Sequence, residues 1–429
     1  MARIRQYKSY KYDLSNVTTV DQLLSLKPID PNKYKWMCTV VGEDGEPWIE
    51  ALQFLIHKSH LSHKTIISNA EDLAHYLTFL EQEGINWLHF PERQSNRCVY
   101  RYHAYLIDES RVSTSRATES RRMRLIIQFY RWAKHWGFID KAIETWTDKN
   151  ISVAFYTPEG FQRSMPVLTT DLKIAKTKRD SDTDTVEAGL MPLHLSDRDA
   201  LLQYLRESQS TTHERLLHMF SLGFVSGARS ETIRTLGVSD LEAAKDAHPV
   251  DKRLSNYVFL RVGSGTNVKT KFGVAGHLRI HESVFDALYA YAYSPARLKC
   301  AALAKKKGND SNILFLSQRG SPISDGCFTG DMRHLRKKLV ADGLTQFCNL
   351  KFHQSRATCG TSLVTAILKS GTELDAIKIA RDWLMHKHER TTWRYINFLK
   401  DSTWMEEFND DLNETFLGPL FTSGVVSDD

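Results

Sequence analysis

The chain has 429 residues, of which 41% are hydrophobic and 25% charged, with a formal net charge of +6. That length predicts two or three domains, and the composition excludes a disordered chain. No apolar run reaches the roughly 20 residues needed to span a bilayer, and MARIRQYKSYKYDLS lacks the apolar core of a secretory signal, so a cytoplasmic protein is expected.

Charge is unevenly spread. After Tyr395 there are eight acidic residues and one lysine, which leaves +13 on residues 1–395. A basic body with an acidic tail fits a polyanionic partner and a tail that docks on protein. Cys38, Cys98, Cys300, Cys327, Cys348 and Cys359 form no C-x-x-C pair, so neither a zinc site nor a disulfide framework is expected. His57, His60 and His63 recur every third position without a carboxylate or cysteine to complete a ligand set, so the stretch reads as a polar helix face and no metal is expected.

In chain order, residues 1–45 show weak periodicity and read as an N-terminal extension, basic at Arg3, Arg5, Lys8 and Lys11. Residues 46–147 read as a helical domain. WIEALQFLIHKS places Leu52, Leu55 and Ile56 on one stripe, and ISNAEDLAHYLTFLEQEG repeats Leu73, Tyr76, Leu77 and Leu80 before stopping at Gly84. VYRYHAYLIDES predicts a third helix. In the fourth, STSRATESRRMRLIIQFYRWAKHWGF, Ser115 or Thr118 can cap and Leu125, Ile126, Phe129, Tyr130 and Ala133 form the buried stripe. Its charged positions, Arg121, Arg122, Arg124, Arg131 and Lys134, fit either a solvated face or a row of phosphate contacts.

Residues 148–190 read as an interdomain linker, because KTKRDSDTDTVEAG is polar and almost free of large apolar residues. From 191 to 396 a second domain mixes structure types: a helix capped by Ser196, strand-like NYVFLRV, HLRIH and NILFLS, then helices again. Residues 397–429 form an acidic, aromatic tail.

Four pieces of the second domain carry chemistry-bearing residues, each weak alone. In MFSLGFVSGARSETIRTLGVSDL an apolar helix turns at Gly227 and Arg229 follows. NYVFLRVGSGTNVKTKFGVAGHLRI gives two strands around a turn at Gly273, with Lys269 and Lys271 on the rising arm. KFHQSRATCGTSLVTAIL sets His353 and Arg356 three apart on the first turns of a helix. LMHKHERTTWRYINF places His386 and Tyr395 nine apart, and that tyrosine alone reads as a packing residue, a surface ring or a nucleophile, with packing the safest reading.

Together and in this order the pieces resemble the tyrosine recombinase (phage integrase) family. SGARSETIRTLGVSDL is similar to the helix around the family's first arginine, FHQSRATCGT to its H-x-x-R helix, and LMHKHERTTWRY to its L-G-H…T-x-x-Y ending. Two positions depart from the pattern: Met385 stands where glycine is usual, and Thr232 where an acid is usual, with Glu231 one earlier. Lys269 also competes with Lys271 for the hairpin role, and Lys271, nearer the turn, is preferred.

The resemblance implies an all-α, SAM-like core-binding domain followed by a mainly helical α+β catalytic domain with a small antiparallel sheet. It implies Tyr395 as nucleophile, with Arg229, Lys271, His353, Arg356 and His386 as the other catalytic residues and no cofactor. Arg121, Arg122, Arg124, Arg131, Lys134 and Lys269 become candidate DNA contacts, and Thr391 and Thr392 would cap or brace the helix that presents the tyrosine. The implied partners are double-stranded recombination sites, copies of the chain in a tetrameric synapse, and accessory proteins. The implied setting is the nucleoid of a prokaryote or of a phage host. A type IB topoisomerase-like or telomere-resolving enzyme, and a DNA-binding protein without catalysis, are the competing readings. The tail can pack on its own protomer or pass to a neighbour.

Overall fold

The computed structural model describes residues 1–11, 28–30, 34–108, 115–156, 162–174, 186, 190–247, 254 and 256–401. The chain divides into two compact units, Met1–Asp180 and Ser181–Asp429. The expected tail beyond residue 401, and the linker stretches 175–185 and 187–189, lie outside the described residues. No helix among the described residues is long and apolar enough to cross a membrane.

Among its described residues the first unit has four α-helices: α1 (Ile49–His57), α2 (His63–Glu83), α3 (Cys98–Ile107) and α4 (Arg116–His135). Their ends follow local chemistry. The Ser62 hydroxyl accepts from the Thr65 amide at the start of α2, and Gly84 closes that helix in the left-handed region. Ser115 accepts from the Thr118 amide at the start of α4. The α4 stripe is buried as its spacing predicts, but on α1 the buried residues are Ala51, Phe54 and Leu55, and Ile56 is 49% exposed. Trp48, just before α1, is buried too, its ring centre 5.1 Å from that of Phe129.

Among the described residues two antiparallel ribbons accompany these helices. The expected extension contains β1 (Arg3–Tyr10) paired with β2 (Tyr34–Val41). The first part of the expected linker contains β3 (Asp148–Tyr156) paired with β4 (Gln162–Thr170), so a hairpin occupies residues that read as linker. A two-stranded ribbon buries little, as the exposure of Met165 and Leu168 shows, and its sequence therefore carries only a weak apolar signal. Pro166 fits because such a ribbon has only edges.

The core of this unit is aromatic and contains a buried polar knot. The Tyr76 and Tyr130 hydroxyls lie 2.7 Å apart, and Tyr130 donates to the Trp87 carbonyl at 2.6 Å. Nearby, the buried Asp72 carboxylate meets Arg121 at 2.5 Å and Arg122 at 3.7 Å. Burial pushes Asp72 up to about 6 from its ordinary 3.8, despite both guanidinium groups. The folded state thus keeps a proton that the unfolded chain releases, so this contribution is complete below the unfolded value and is lost as pH rises through about 6. Wild-type protein should therefore gain thermal stability relative to Asp72→Asn as pH is lowered from about 7 to 5, across the interval that the raised carboxylate titrates. A difference between the two melting temperatures that stays constant over that range would mean the carboxylate remains ionised.

The second unit begins with α5 (Leu195–Glu207), α6 (Thr211–Ser226), the short α7 (Ser230–Arg234) and α8 (Val238–Asp246). Helix α5 starts at Leu195, so Ser196 lies inside its first turn instead of capping it. An antiparallel hairpin, β5 (Tyr257–Val262) and β6 (Gly276–His281), leads to α9 (Glu282–Ala292), α10 (Pro295–Lys306) and α11 (Asp325–Ala341). The described residues end with α12 (Gln354–Ser370), α13 (Glu373–Trp383) and α14 (Glu389–Asp401).

The expected strand NILFLS is not one. It makes only isolated bridges, Gly237 with Ile313 and Leu316 with Pro322, while Leu314, Phe315 and Leu316 are buried in the core. Its apolar run reflects burial, not pairing. The fold class expected from the sequence, an all-α first domain followed by a mainly helical α+β domain with a small antiparallel sheet, holds for the described residues, and the first unit carries the two ribbons in addition.

Candidate active site

Arg356 lies at the centre of the second unit. It is wholly buried on α12, where Nη1 donates to the Gly227 carbonyl and Nη2 donates to the Leu384 carbonyl at 2.7 Å. One guanidinium thus ties together two turns remote in sequence. Planar, five-donor geometry makes arginine suited to such forked contacts.

The first turn follows α6. Gly227 adopts φ +65°, and a Cβ there would fall 2.4 Å from Leu384 Cδ2, so both conformation and space call for glycine. Two residues later, half-buried Arg229 occupies the position just before α7. The second turn follows α13 and carries Met385 at φ +50°, the left-handed conformation in which glycine would be at ease. That explains the usual residue at this position, which this chain dispenses with. Met385 also packs on the hairpin, since a Cβ at Gly276 would sit 2.9 Å from its sulfur.

Next to Met385, His386 is almost wholly buried, and its Nδ1 lies 3.0 Å from the Thr392 hydroxyl. Its ring lies 5.9 Å from that of Tyr395, with 27° between the planes. Tyr395 is fully buried on α14 and sits directly on Gly360 of α12: a Cβ at Gly360 would fall 2.4 Å from its Cε1 and 2.7 Å from its Cζ. His353, half-buried, stands at the start of α12 one turn before Arg356.

Lys271 occupies the tip of the β5–β6 hairpin and is exposed. The tip reaches the second turn, because Lys271 Nζ lies 5.3 Å and Lys387 Nζ 5.6 Å from the Phe272 ring centre. Lys269 is also exposed, while its backbone amide donates to the Thr235 hydroxyl at 2.9 Å. Arg356, His386 and Tyr395 are thus brought together around the Leu384 turn, with Arg229 two residues beyond the Gly227 turn, His353 at the start of α12 and the hairpin tip against Lys387.

Residues 193–401 match the sequence profile of the phage integrase family. This domain belongs to that family. Among solved structures, the Tn1549 transposon integrase in complex with transposon right end DNA aligns with a TM-score of 0.50 at 14% identity, over 86% of this chain and 98% of that one. The same integrase in complex with circular intermediate DNA aligns with a TM-score of 0.49 at 15% identity, over 81% and 94%. At such identity the likeness is one of fold. No curated protein sequence matches the chain.

Within the integrase-family domain, Thr232 is buried at the position where an acid is usual, and Glu231 is half-buried. Cys359, beside Arg356 in sequence terms, is buried and its thiol is pushed up to about 12 by desolvation, which Arg356 only partly offsets. It is a packing residue rather than a second nucleophile.

Four of the five candidate basic residues of α4 have protein partners. Arg121 and Arg122 face Asp72, Arg131 pairs with Asp148 at 3.0 Å, and Lys134 donates to the Ile143 carbonyl at 2.5 Å. Arg124 is exposed and lines a groove with Met123, Ile127, Arg131, Leu168 and Lys173. Two residues gained importance only in three dimensions. Thr392 proves to touch His386, whereas the sequence marked it as a helix brace. Gly360 was signalled only by being a glycine inside a helix, which often means a close approach.

Proposed function

We propose that the chain is a site-specific DNA recombinase or integrase of a mobile element, cleaving and rejoining DNA through a 3′-phosphotyrosyl intermediate on Tyr395. The observation that carries this reading is the Arg356 fork, which ties the turn bearing Arg229 to the turn bearing His386, with Tyr395 stacked on that histidine. Membership of residues 193–401 in the phage integrase family supports it.

The chemistry follows from the groups present. Exchanging a DNA phosphodiester without an outside energy source requires an intermediate that conserves the bond. After leaving the buried seat it occupies here, the Tyr395 oxygen attacks phosphorus, the P–O bond to the 5′ oxygen breaks, and the 5′ hydroxyl of a partner strand later reverses the step. An ordinary phenol holds its proton to a pKa near 10, so a base is needed, and His353 takes that role. Arg229, and Arg356 once a carbonyl of its fork is exchanged for phosphate, stabilise the charge that builds on the non-bridging oxygens, where planar bidentate donors outperform a flexible ammonium. Lys271 delivers a proton to the leaving 5′ oxygen, and His386 hydrogen-bonds the phosphate. Exposed Lys269 and Arg124 contact the DNA backbone, with Arg121, Arg122, Arg131 and Lys134 doing so by exchanging their protein partners. Two duplexes and four protomers make up the synapse. This chain of steps uses no metal or cofactor.

A suicide duplex, nicked so that the cleaved strand diffuses away, tests the reading with DNA from the ends flanking the coding gene. The expected result is a protein–DNA adduct that survives denaturation, maps to Tyr395 and forms equally in EDTA. Failure to form the adduct would remove the enzymatic reading, and loss of cleavage in EDTA would remove its metal independence. An adduct with relaxation but no two-site exchange would instead indicate a type IB topoisomerase-like enzyme.

A further inference from the structure

Thr392 sits in the first turn of α14, fully buried, with its hydroxyl 3.0 Å from His386 Nδ1. One turn later on the same helix is Tyr395, whose ring lies beside the same imidazole. A buried hydroxyl is costly unless hydrogen-bonded, and a β-branched side chain has few χ1 choices, so this oxygen is held where it stands. An imidazole contacted at Nδ1 by a hydroxyl has its orientation fixed, and the direction of that hydrogen bond selects the tautomer.

We propose that Thr392 is a positioning residue for strand cleavage: its hydroxyl donates to Nδ1 of His386, fixing the ring and keeping the neutral imidazole's proton on Nε2, from which it is presented to the scissile phosphate. This rests on the reading of His386 as a phosphate contact given above. The hydroxyl bonds the histidine across the turn that separates α13 from α14, so the helix bearing the nucleophile carries the group that sets the histidine. Placement of the tyrosine and placement of the phosphate donor are thereby one event. Outer partners of functional histidines act in this way at other kinds of site.

Thr392→Val keeps the shape and removes the hydroxyl, while Thr392→Ser keeps the hydroxyl. In single-turnover cleavage of the nicked element-end duplex, the valine variant should be on the order of tenfold slower, the value of about one hydrogen bond. The serine variant should recover to within about twofold of wild type. In a His386→Ala background, Thr392→Val should cost nothing further, since the residue acts through the histidine. Nitrogen NMR of the full-length protein, with the His386→Ala spectrum assigning the ring, should show the Nε2–H tautomer in wild type and a mixture in the valine variant.

A full additional loss in the His386→Ala background, equal rates for valine and wild type, or an unchanged tautomer in the valine variant would each overturn the proposal. If wild type forms no Tyr395 adduct, the recombinase reading fails on its own account. The tautomer measurement would still decide whether the hydroxyl donates to the ring.

Discussion

Tyr395→Phe is expected to abolish covalent adduct formation while leaving the fold intact. The ring is fully buried against Gly360 and stacked on His386, and phenylalanine fills the same volume. Only the phenolic oxygen is lost. Removing the nucleophile of an enzyme that works through a covalent intermediate costs roughly 10⁵–10⁶ in rate, so the adduct should fall below detection on a denaturing gel. Melting temperature should move by less than about 4 °C, the shift that ~1 kcal/mol produces in a domain of this size. An adduct of normal yield in the phenylalanine variant would transfer the nucleophile's role to another residue.

Arg356→Lys should fail in a different way, losing stability as well as rate. Lysine keeps the charge, but one ammonium on a flexible stem cannot reproduce the fork that holds the Gly227 and Leu384 carbonyls. Leaving buried carbonyls poorly satisfied costs about 1–3 kcal/mol each, so melting should fall by roughly 5–15 °C. Cleavage should fall by about 10²–10³ if the same group also stabilises the phosphate. Arg229→Lys is the contrast: that residue is half-buried on a turn, and its replacement should slow cleavage with a much smaller change in melting. Equal melting temperatures for the two variants would show that the fork carries no structural weight.

The parts of the fold that were legible are those whose signals are local. Ser62 and Gly84 bound α2, and the α4 stripe from Leu125 to Ala133 is buried as its spacing requires. H-x-x-R and the H-to-Tyr interval are likewise short-range, and the family resemblance they carry together is what ordered the candidate site. What stayed hidden depends on partners far away in the chain. Nothing in SRRMR announces that Asp72 on another helix engages Arg121 and Arg122. Nothing in HQSRATCGT announces that the arginine serves two carbonyls, one before it and one after it in sequence. NILFLS misled because a strand and a buried irregular segment look alike when both are apolar. The β3–β4 ribbon misled in the opposite direction, being regular structure with too little burial to mark it.

Gly360 has a consequence for comparing this chain with its relatives. A single methyl at that position would overlap two atoms of the tyrosine ring, at 2.4 and 2.7 Å, and would crowd Leu384 at 3.0 Å. Residue 360 is therefore a gauge of where the tyrosine rests. Any homologous domain with a side chain there must seat its tyrosine differently, and one with glycine has room for the deep seat seen here. The identity of one helical residue, 35 positions before the tyrosine, reports the resting place of the group that would attack DNA.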